Sequence, residues 1–291
     1  MASTSTPDSD PGARSVRALL REAQAALGGG QDSVLDAELL VAAASGRDRA
    51  ALLAHPEDEV GGPALETFNS LLGRRVAGEP MAYLLGTWGF WTLDLAVGPG
   101  VLVPRPETEL LVELAGERIS DPFARVLDLG TGSGAIALAI ASEHPQAEVT
   151  ATEASDTAFA YARRNMRDTG MEVELLLGDP DDWYLTVTAR RFDLILSNPP
   201  YVAIGDPALE AAVAAHEPSA ALLAGDDGLD ALRAIIAGAP EHLEIDGWLL
   251  VEHGYDQGPA VRALFATAGF SEVSTRRDLA GHERVTLGRL D

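Results

Sequence analysis

From Arg125 to the C-terminus, short apolar runs alternate with helical stretches, and this alternation restricts the possible folds more than any other feature of the chain. The candidate strands are 125–129 (RVLDL), 147–153 (AEVTATE), 173–178 (VELLLG), 192–197 (FDLILS), 247–252 (GWLLVE), 272–277 (EVSTRR) and 284–289 (RVTLGR). Helical stretches at 135–143, 157–168, 229–243 and 258–268 lie between most of them. The expectation is an α/β fold with a mostly parallel sheet covered on both faces. The last two strands are separated only by Asp278–Glu283. No crossover helix fits there, so they form an antiparallel hairpin at the end of the sheet.

The upstream half has a different texture. Val16, Leu19, Leu20, Ala23 and Leu27 recur at helical spacing before Gly28-Gly29-Gly30 stops the pattern. Ser33 is placed to cap a second helix carrying Leu35, Leu39 and Leu40, and Pro63 to begin another carrying Leu65, Phe68, Leu71 and Leu72. Residues 14–82 are therefore expected to form a small helical domain. Between 83 and 104, Gly86, Gly89, Gly98 and Gly100 punctuate short apolar runs such as Phe90-Trp91-Thr92-Leu93, which reads as a β-hairpin linker. The first 13 residues are Ser, Thr, Pro, Asp and Gly-rich and read as a floppy tail.

Strand 125–129 runs into Asp128-Leu129-Gly130-Thr131-Gly132-Ser133-Gly134 and then a helix. Glycines here allow tight turns and close approach of a ligand to a helix N-terminus. Gly130, Gly132 and Ala135 satisfy the G-x-G-x-x-G/A dinucleotide fingerprint. The complete D-x-G-x-G-x-G run resembles motif I of class I S-adenosylmethionine methyltransferases. Glu153 ends the next strand, where a carboxylate can accept both hydroxyls of a ribose, and this suits either cofactor.

Strand 192–197 ends in Asn198-Pro199-Pro200-Tyr201, where open α/β sheets bind ligands at the carboxyl ends of strands. Two prolines stiffen the loop and donate no backbone N–H. Asn198 offers a side-chain carbonyl, Pro199 a backbone carbonyl, and Tyr201 an aromatic face. Together they suit a planar –NH2 group, with two acceptors for its hydrogens and a ring to stack on. Such a nitrogen is a poor nucleophile, and catalysis rests on positioning and hydrogen-bond stabilisation.

Charge and composition exclude other chemistries. The chain has no Cys and no Lys, which removes thiolate metal sites, cysteine nucleophiles, a P-loop lysine and a Schiff-base lysine. The 6 His form no ligand cluster, so no metal is expected. His253, at a strand end, reads as a packing or capping residue. The net charge is −24, and from residue 87 onward 14 Arg face 33 acidic residues. Nucleic-acid affinity comes largely from counterion release by bound cations, so an acidic chain makes a nucleic-acid partner unfavourable. No apolar window approaches a membrane span, and MASTSTPDSDPGAR has neither the basic start nor the apolar stretch of a secretory signal.

The N-P-P-Y tetrapeptide marks methyltransferases acting on exocyclic or amide nitrogens. Three other stretches narrow the group: Glu79-Pro80-Met81-Ala82-Tyr83-Leu84-Leu85-Gly86, Phe90-Trp91, and Val103-Pro104-Arg105-Pro106-Glu107-Thr108-Glu109. With Glu217-Pro218, Ala221-Leu222, Glu252-His253-Gly254 and Glu283-Arg284-Val285, the chain resembles the HemK/PrmC glutamine methyltransferases from about residue 15 to 290. The resemblance implies a class I S-adenosylmethionine-dependent methyltransferase domain of seven strands at 105–291, behind the hairpin linker and a helical, substrate-recognising N-terminal domain. It implies methyl transfer from S-adenosylmethionine to the glutamine side chain in the Gly-Gly-Gln loop of class 1 peptide release factors, by a cytoplasmic, monomeric enzyme. Carried over by position, Asp128 and Gly130 through Gly134, with Thr131 and Ser133, hold the methionine end of the cofactor, and Glu153 holds its ribose. Trp183, following an acidic residue, lies along the adenine. Counting back from Asn198 favours Asp182 as that acid, and counting forward from Glu153 favours Asp179. Asn198, Pro199, Pro200 and Tyr201 bind the substrate glutamine. Arg105 either anchors the linker or contacts the substrate loop, and Glu107 and Glu109 suit the start of the following helix. The competing readings are a nucleic-acid adenine-N6 or guanine-N2 methyltransferase, a non-catalytic cofactor-binding protein and an NAD dehydrogenase.

Overall fold

The structure, a computed structural model, describes residues 12–207, 209 and 211–291. All of the expected tail except Gly12 and Ala13 lies outside the described residues. The chain divides after Leu85 into two compact units.

In the first unit, β1 (Arg14–Ser15) pairs with β2 (Glu59–Val60), and the rest is helical: α1 (Val16–Ala26), α2 (Gln31–Ser45), α3 (Arg49–Ala54), α4 (Gly62–Val76) and α5 (Met81–Leu85). Ser15 caps α1 by accepting the Ala18 N–H on its hydroxyl, and Asp48 caps α3 by accepting that of Ala50. Val16, Leu19 and Ala23 of α1 are buried, as their spacing predicts. Ser33 is not a cap. Gly30 takes that place, and the Ser33 hydroxyl sits in the first turn, donating to the Gly30 carbonyl at 2.5 Å. The second half of the Met81–Leu85 turn falls inside the 83–104 stretch, so that stretch starts as helix and its hairpin is confined to β3 (Thr87–Phe90) and β4 (Leu93–Ala96).

The second unit is built on a seven-stranded sheet of β5 (Arg125–Leu129), β6 (Glu148–Glu153), β7 (Glu174–Leu177), β8 (Phe192–Ser197), β9 (Leu243–Glu252), β10 (Phe270–Arg277) and β11 (Glu283–Leu290). Its spatial order is β10-β11-β9-β8-β5-β6-β7. The five strands β5 to β9 are mutually parallel, and β11 runs antiparallel to both of its neighbours. The helices are α6 (Glu109–Gly116), α7 (Ala135–Glu143), α8 (Asp156–Thr169), α9 (Ala211–His216), α10 (Asp230–His242) and α11 (Gly258–Thr267). Strand residues alternate between two buried clusters, one on each face. Val126, Leu194, Leu196 and Leu250 join Leu111, Leu138 and Ile140 of α6 and α7, while Leu127, Leu129, Ile195 and Val251 join Ile235 and Phe265 of α10 and α11.

β9 starts at Leu243, four residues before the apolar run at 247–252. Its register against β8 jumps from Phe192↔Leu243 to Leu194↔Trp248. The extra residues form an irregularity around Asp246, which takes the left-handed φ of 65°. That polar, glycine-containing bulge hides the strand's beginning from any hydrophobic pattern.

The order of strands decides where a ligand sits. The chain leaves β5 toward β6 on one side and later returns to β8 on the other. The loops after β5 and β8 therefore open side by side at the carboxyl edge, the switch point of the sheet.

Candidate active site

The loop after β5 carries left-handed glycines at every second position, with φ of 70° at Gly130, 60° at Gly132 and 87° at Gly134. Side chains rarely adopt this conformation. Beneath it lies Asp128, with no exposed surface. Its Oδ2 accepts the Thr131 hydroxyl at 2.6 Å and the Ala137 N–H, in the first turn of α7, at 3.2 Å, while Oδ1 has no partner among the described residues. Burial pushes this carboxyl up to about 7. Asp128 thus braces the loop from below. The Thr131 N–H donates to the Thr152 carbonyl at 2.9 Å, tying the loop to β6.

Glu153, at the end of β6, reaches across to the same loop. Its Oε2 accepts the Gly132 N–H and its Oε1 the Ser155 N–H, each at 2.8 Å. Burial raises its carboxyl above the usual range, and these amides oppose the rise. On the far side, Asn165 of α8 donates from Nδ2 to the Ser133 carbonyl at 2.8 Å and to the Ala96 carbonyl at 3.0 Å, and accepts the Ala96 N–H at 2.7 Å. One buried amide thus joins the glycine loop to β4.

A cavity of about 360 Å³ opens between the two loops. Gly130 through Ser133, Glu153, Asp179, Trp183, Arg105, Thr108, Asn198 and Pro200 are among its lining residues. A Cβ added to Gly132 would meet nothing within 4 Å, whereas one on Gly130 would lie 3.0 Å from the Trp183 ring. Trp183 therefore covers the start of the loop, and Gly132 faces open space.

Asn198 is held by a chain of side chains from three elements. Its Nδ2 donates to Thr108 Oγ1 at 3.0 Å, and Thr108 donates to Glu252 Oε2 at 2.7 Å. Glu252 Oε1 accepts the Tyr201 hydroxyl at 3.1 Å. Thr108 comes from the 3₁₀ turn Pro106–Thr108 and Glu252 from the end of β9. Burial pushes the Glu252 carboxyl up to about 7 and raises the Tyr201 phenol too. From behind, the Gln257 side chain donates to the Tyr201 carbonyl at 2.9 Å.

The predicted residues are not all alike in this setting. Gly130, Thr131, Gly132, Ser133, Glu153, Trp183, Asn198 and Pro200 line the cavity, and Gly134 and Asp128 support it from outside the lining. The Pro199 ring is buried and is not among the lining residues, while its carbonyl belongs to the peptide bond with Pro200, which lines the cavity. Tyr201 does not offer a stacking face there, because its ring packs against the cluster beneath α10 and α11 and its hydroxyl is drawn back to Glu252. Asp182 is exposed and away from the lining. Its carboxylate accepts the Tyr184 N–H at 3.0 Å in a local turn, and Asp179 stands at the cavity instead. Of the two acids, the one reached by counting forward from β6 is thus the one at the cavity. Arg105 pairs with Glu217 at 2.6 Å, and Glu217 also accepts the Val103 N–H at 3.1 Å, so Arg105 anchors the post-hairpin segment while lining the cavity. Glu109 does more than open α6, since it accepts the Trp91 N–H at 2.8 Å. His253 is buried between the Gly254 carbonyl and the Thr286 hydroxyl, as a packing residue is. Asn165 belongs to no motif that the sequence displays. Thr108 and Glu252 stood there only as parts of family motifs, with no role attached.

The parallel sheet closed by an antiparallel strand, with a glycine loop after β5 and an Asn-Pro-Pro-Tyr loop after β8, is the class I S-adenosylmethionine-dependent methyltransferase fold. Residues 106–225 match the Methyltransferase small domain and residues 18–86 the PrmC N-terminal domain. The T. thermophilus 16S rRNA N2 G1207 methyltransferase RsmC, solved with AdoMet and guanosine, shares the fold with a TM-score of 0.51 and 21% identity over 70% of this chain and 50% of that one. Release factor glutamine methyltransferase of Xylella fastidiosa (strain Temecula1) is 50% identical over 88% of this chain and 92% of its own length. The Escherichia coli (strain K12) protein of the same name is 42% identical over 93% of this chain and 97% of its own. The chain belongs to the release factor glutamine methyltransferase family.

Proposed function

We propose that this chain transfers a methyl group from S-adenosylmethionine to the side-chain amide nitrogen of the glutamine in the Gly-Gly-Gln motif of class 1 peptide chain release factors. The observation that carries this reading is the orientation of Asn198. Its Nδ2 is committed to Thr108, so the carbonyl end of the amide is the end left for a substrate. A substrate –NH2 has two hydrogens, and Asn198 Oδ1 with the Pro199 carbonyl supplies two acceptors. Accepting both hydrogens concentrates the nitrogen's delocalised lone pair and aims it, so the residues work by position and by preorganised hydrogen bonds. Pro200 stiffens the loop, and Tyr201 holds it through Glu252.

The residues fit S-adenosylmethionine. The space facing Gly132 is open, and the Glu153 carboxylate, which accepts the Gly132 and Ser155 amides, keeps acceptor capacity for a ribose hydroxyl. When bound, the cofactor supplies an electrophilic methyl group. Gly130, Thr131, Gly132, Ser133 and Gly134 would hold its methionine end, Glu153 its ribose, and Trp183 with Asp179 its adenine side.

The helical segment 14–82 is assigned to release-factor recognition, 83–104 to the linker and 105–291 to catalysis. The excess of acidic residues supports a protein partner over nucleic acid. Among the described residues no helix is long and apolar enough to cross a membrane. The family resemblance is the ground on which we assign the chain to the cytoplasm, acting as a monomer.

The test offers labelled S-adenosylmethionine with release factor, its Gly-Gly-Gln→Gly-Gly-Ala variant, unmethylated DNA and unmethylated rRNA. Label on the wild-type release factor alone is expected, lost in Asn198→Ala while S-adenosylhomocysteine binding persists. Label on nucleic acid would overturn the reading.

A further inference from the structure

Glu252 is 1% exposed, and each of its carboxylate oxygens accepts a hydroxyl, Thr108 on one and Tyr201 on the other. A hydroxyl has a single proton. While Glu252 is ionised it takes the Thr108 proton, and the Thr108 oxygen can then only accept from its other neighbour, Asn198 Nδ2. That keeps the NH2 end of Asn198 on Thr108 and its carbonyl end turned the other way. A protonated Glu252 brings a hydrogen of its own. Tyr201 has no other acceptor for its hydroxyl among the described residues, so the added proton settles on the oxygen facing Thr108. Thr108 then accepts from Glu252 and aims its own hydrogen at Asn198. The amide can meet that hydrogen only with its oxygen, and it turns over. An NH2 group then stands where the carbonyl stood, and two donors oppose each other at the substrate nitrogen.

We propose that Glu252 is a positioning residue whose ionisation, relayed through the Thr108 hydroxyl, sets which end of the Asn198 amide faces the substrate and so switches methyl transfer on. The inference rests on the assignment of Asn198 as acceptor for the substrate amide, and it adds a control element to that site. The groups that face Glu252 agree with a titration in the working range. Burial pushes its carboxyl up to about 7, and Glu107, on the turn that carries Thr108, adds to the rise. Arg284 of β11 opposes it, with part of its charge answered by Asp278 at 3.3 Å. Tyr201 stays a donor throughout, because burial raises its phenol.

The experiment measures kcat on release factor between about pH 5.5 and 9 at saturating cofactor, for wild type, Glu252→Gln, Thr108→Val and Thr108→Ser. Wild-type kcat is expected to fall about tenfold per pH unit below a midpoint near 7. Thr108→Ser, which keeps the hydroxyl, keeps the fall. Glu252→Gln and Thr108→Val flatten the profile and lower kcat at least about tenfold at alkaline pH, with S-adenosylhomocysteine affinity within about threefold of wild type. Thr108→Val decides alone if Glu252→Gln does not fold. An independent readout is the side-chain amide resonance of Asn198 in ¹⁵N-labelled protein, assigned through Asn198→Ala, which is expected to shift with the same midpoint in the absence of substrate. A flat wild-type profile, an acid limb that survives in Thr108→Val, or an Asn198 resonance indifferent to pH would each overturn the inference. A wild type that methylates no release factor at any pH, while the resonance still titrates, would overturn the functional reading and leave the relay standing.

Discussion

Replacing Asn165 by alanine removes three hydrogen bonds and leaves three backbone groups behind, the Ala96 N–H and the carbonyls of Ala96 and Ser133. Ala96 and Ser133 are 4% and 3% exposed, so bulk water does not reach those groups in the native packing. Each unsatisfied buried group costs about 1–3 kcal/mol. The space vacated by the amide admits a water that recovers part of this, and the net loss is expected at about 3–4 kcal/mol. For a unit of this size that is a fall in Tm of roughly 6–16 °C. All four tryptophans lie after residue 86, so their fluorescence during urea unfolding reads the second unit alone. Asn165→Asp separates hydrogen bonding from shape. It keeps the volume but, when ionised, sets oxygen against two carbonyls that now receive N–H bonds at 2.8 and 3.0 Å. At pH 8 it is expected to be less stable than the alanine variant, with the gap narrowing on acidification. Because Ser133 belongs to the glycine loop, Asn165→Ala is also expected to weaken S-adenosylhomocysteine binding about tenfold or more. A loss under about 1 kcal/mol in the alanine variant, or an aspartate variant that is the more stable at pH 8, would refute the reasoning.

Gly132→Ala is expected to cost only about 1 kcal/mol of stability, the strain of a left-handed side chain, since its Cβ meets no protein atom. It should weaken S-adenosylhomocysteine at least about tenfold by calorimetry, because the methyl enters the cavity, and unchanged affinity would count against the loop as cofactor cradle. Arg105→Ala leaves the Glu217 carboxylate, 1% exposed, with only the Val103 N–H, and is expected to lose about 2 kcal/mol in urea unfolding. Arg105→Lys should recover part of that, and a loss no larger than that of a surface substitution would refute the anchoring role. For Asp128, the folded-state value near 7 lies above the usual carboxylate range, so the folded protein binds this proton more tightly than the unfolded chain. Its contribution is thus most favourable below the unfolded value and is lost as pH rises through about 7. Asp128→Asn does not titrate, and its stability relative to wild type is expected to improve by on the order of 4 kcal/mol from acid to alkaline pH. A difference that does not change with pH would refute the assignment.

Elements were legible wherever hydrophobic period and glycine placement agreed. β5, β8 and α7 occupy the stretches that their patterns mark, and the antiparallel end of the sheet follows from the shortness of the Asp278–Glu283 connection. The start of β9 was hidden because its first residues form a bulge with polar side chains. Ser33 misled because a preceding glycine run can turn the chain without a side-chain cap.

Within the site, two kinds of information separate. The alternate glycines after β5 and the Asn-Pro-Pro-Tyr run after β8 are local conformational requirements, written over a few adjacent residues, and they mark both walls of the cavity without a structure. The relation of Asn198 to Thr108, 90 positions away, and of Thr108 to Glu252, 144 positions away, is written nowhere in the chain. The same holds for Asn165 and Ala96, and for the choice of Asp179 over Asp182. Hydrogen bonds act over about 3 Å whatever the separation in sequence. Local chemistry therefore specifies which groups are available, and only the closing of the sheet and the packing of the turns on its edge decide which of them meet.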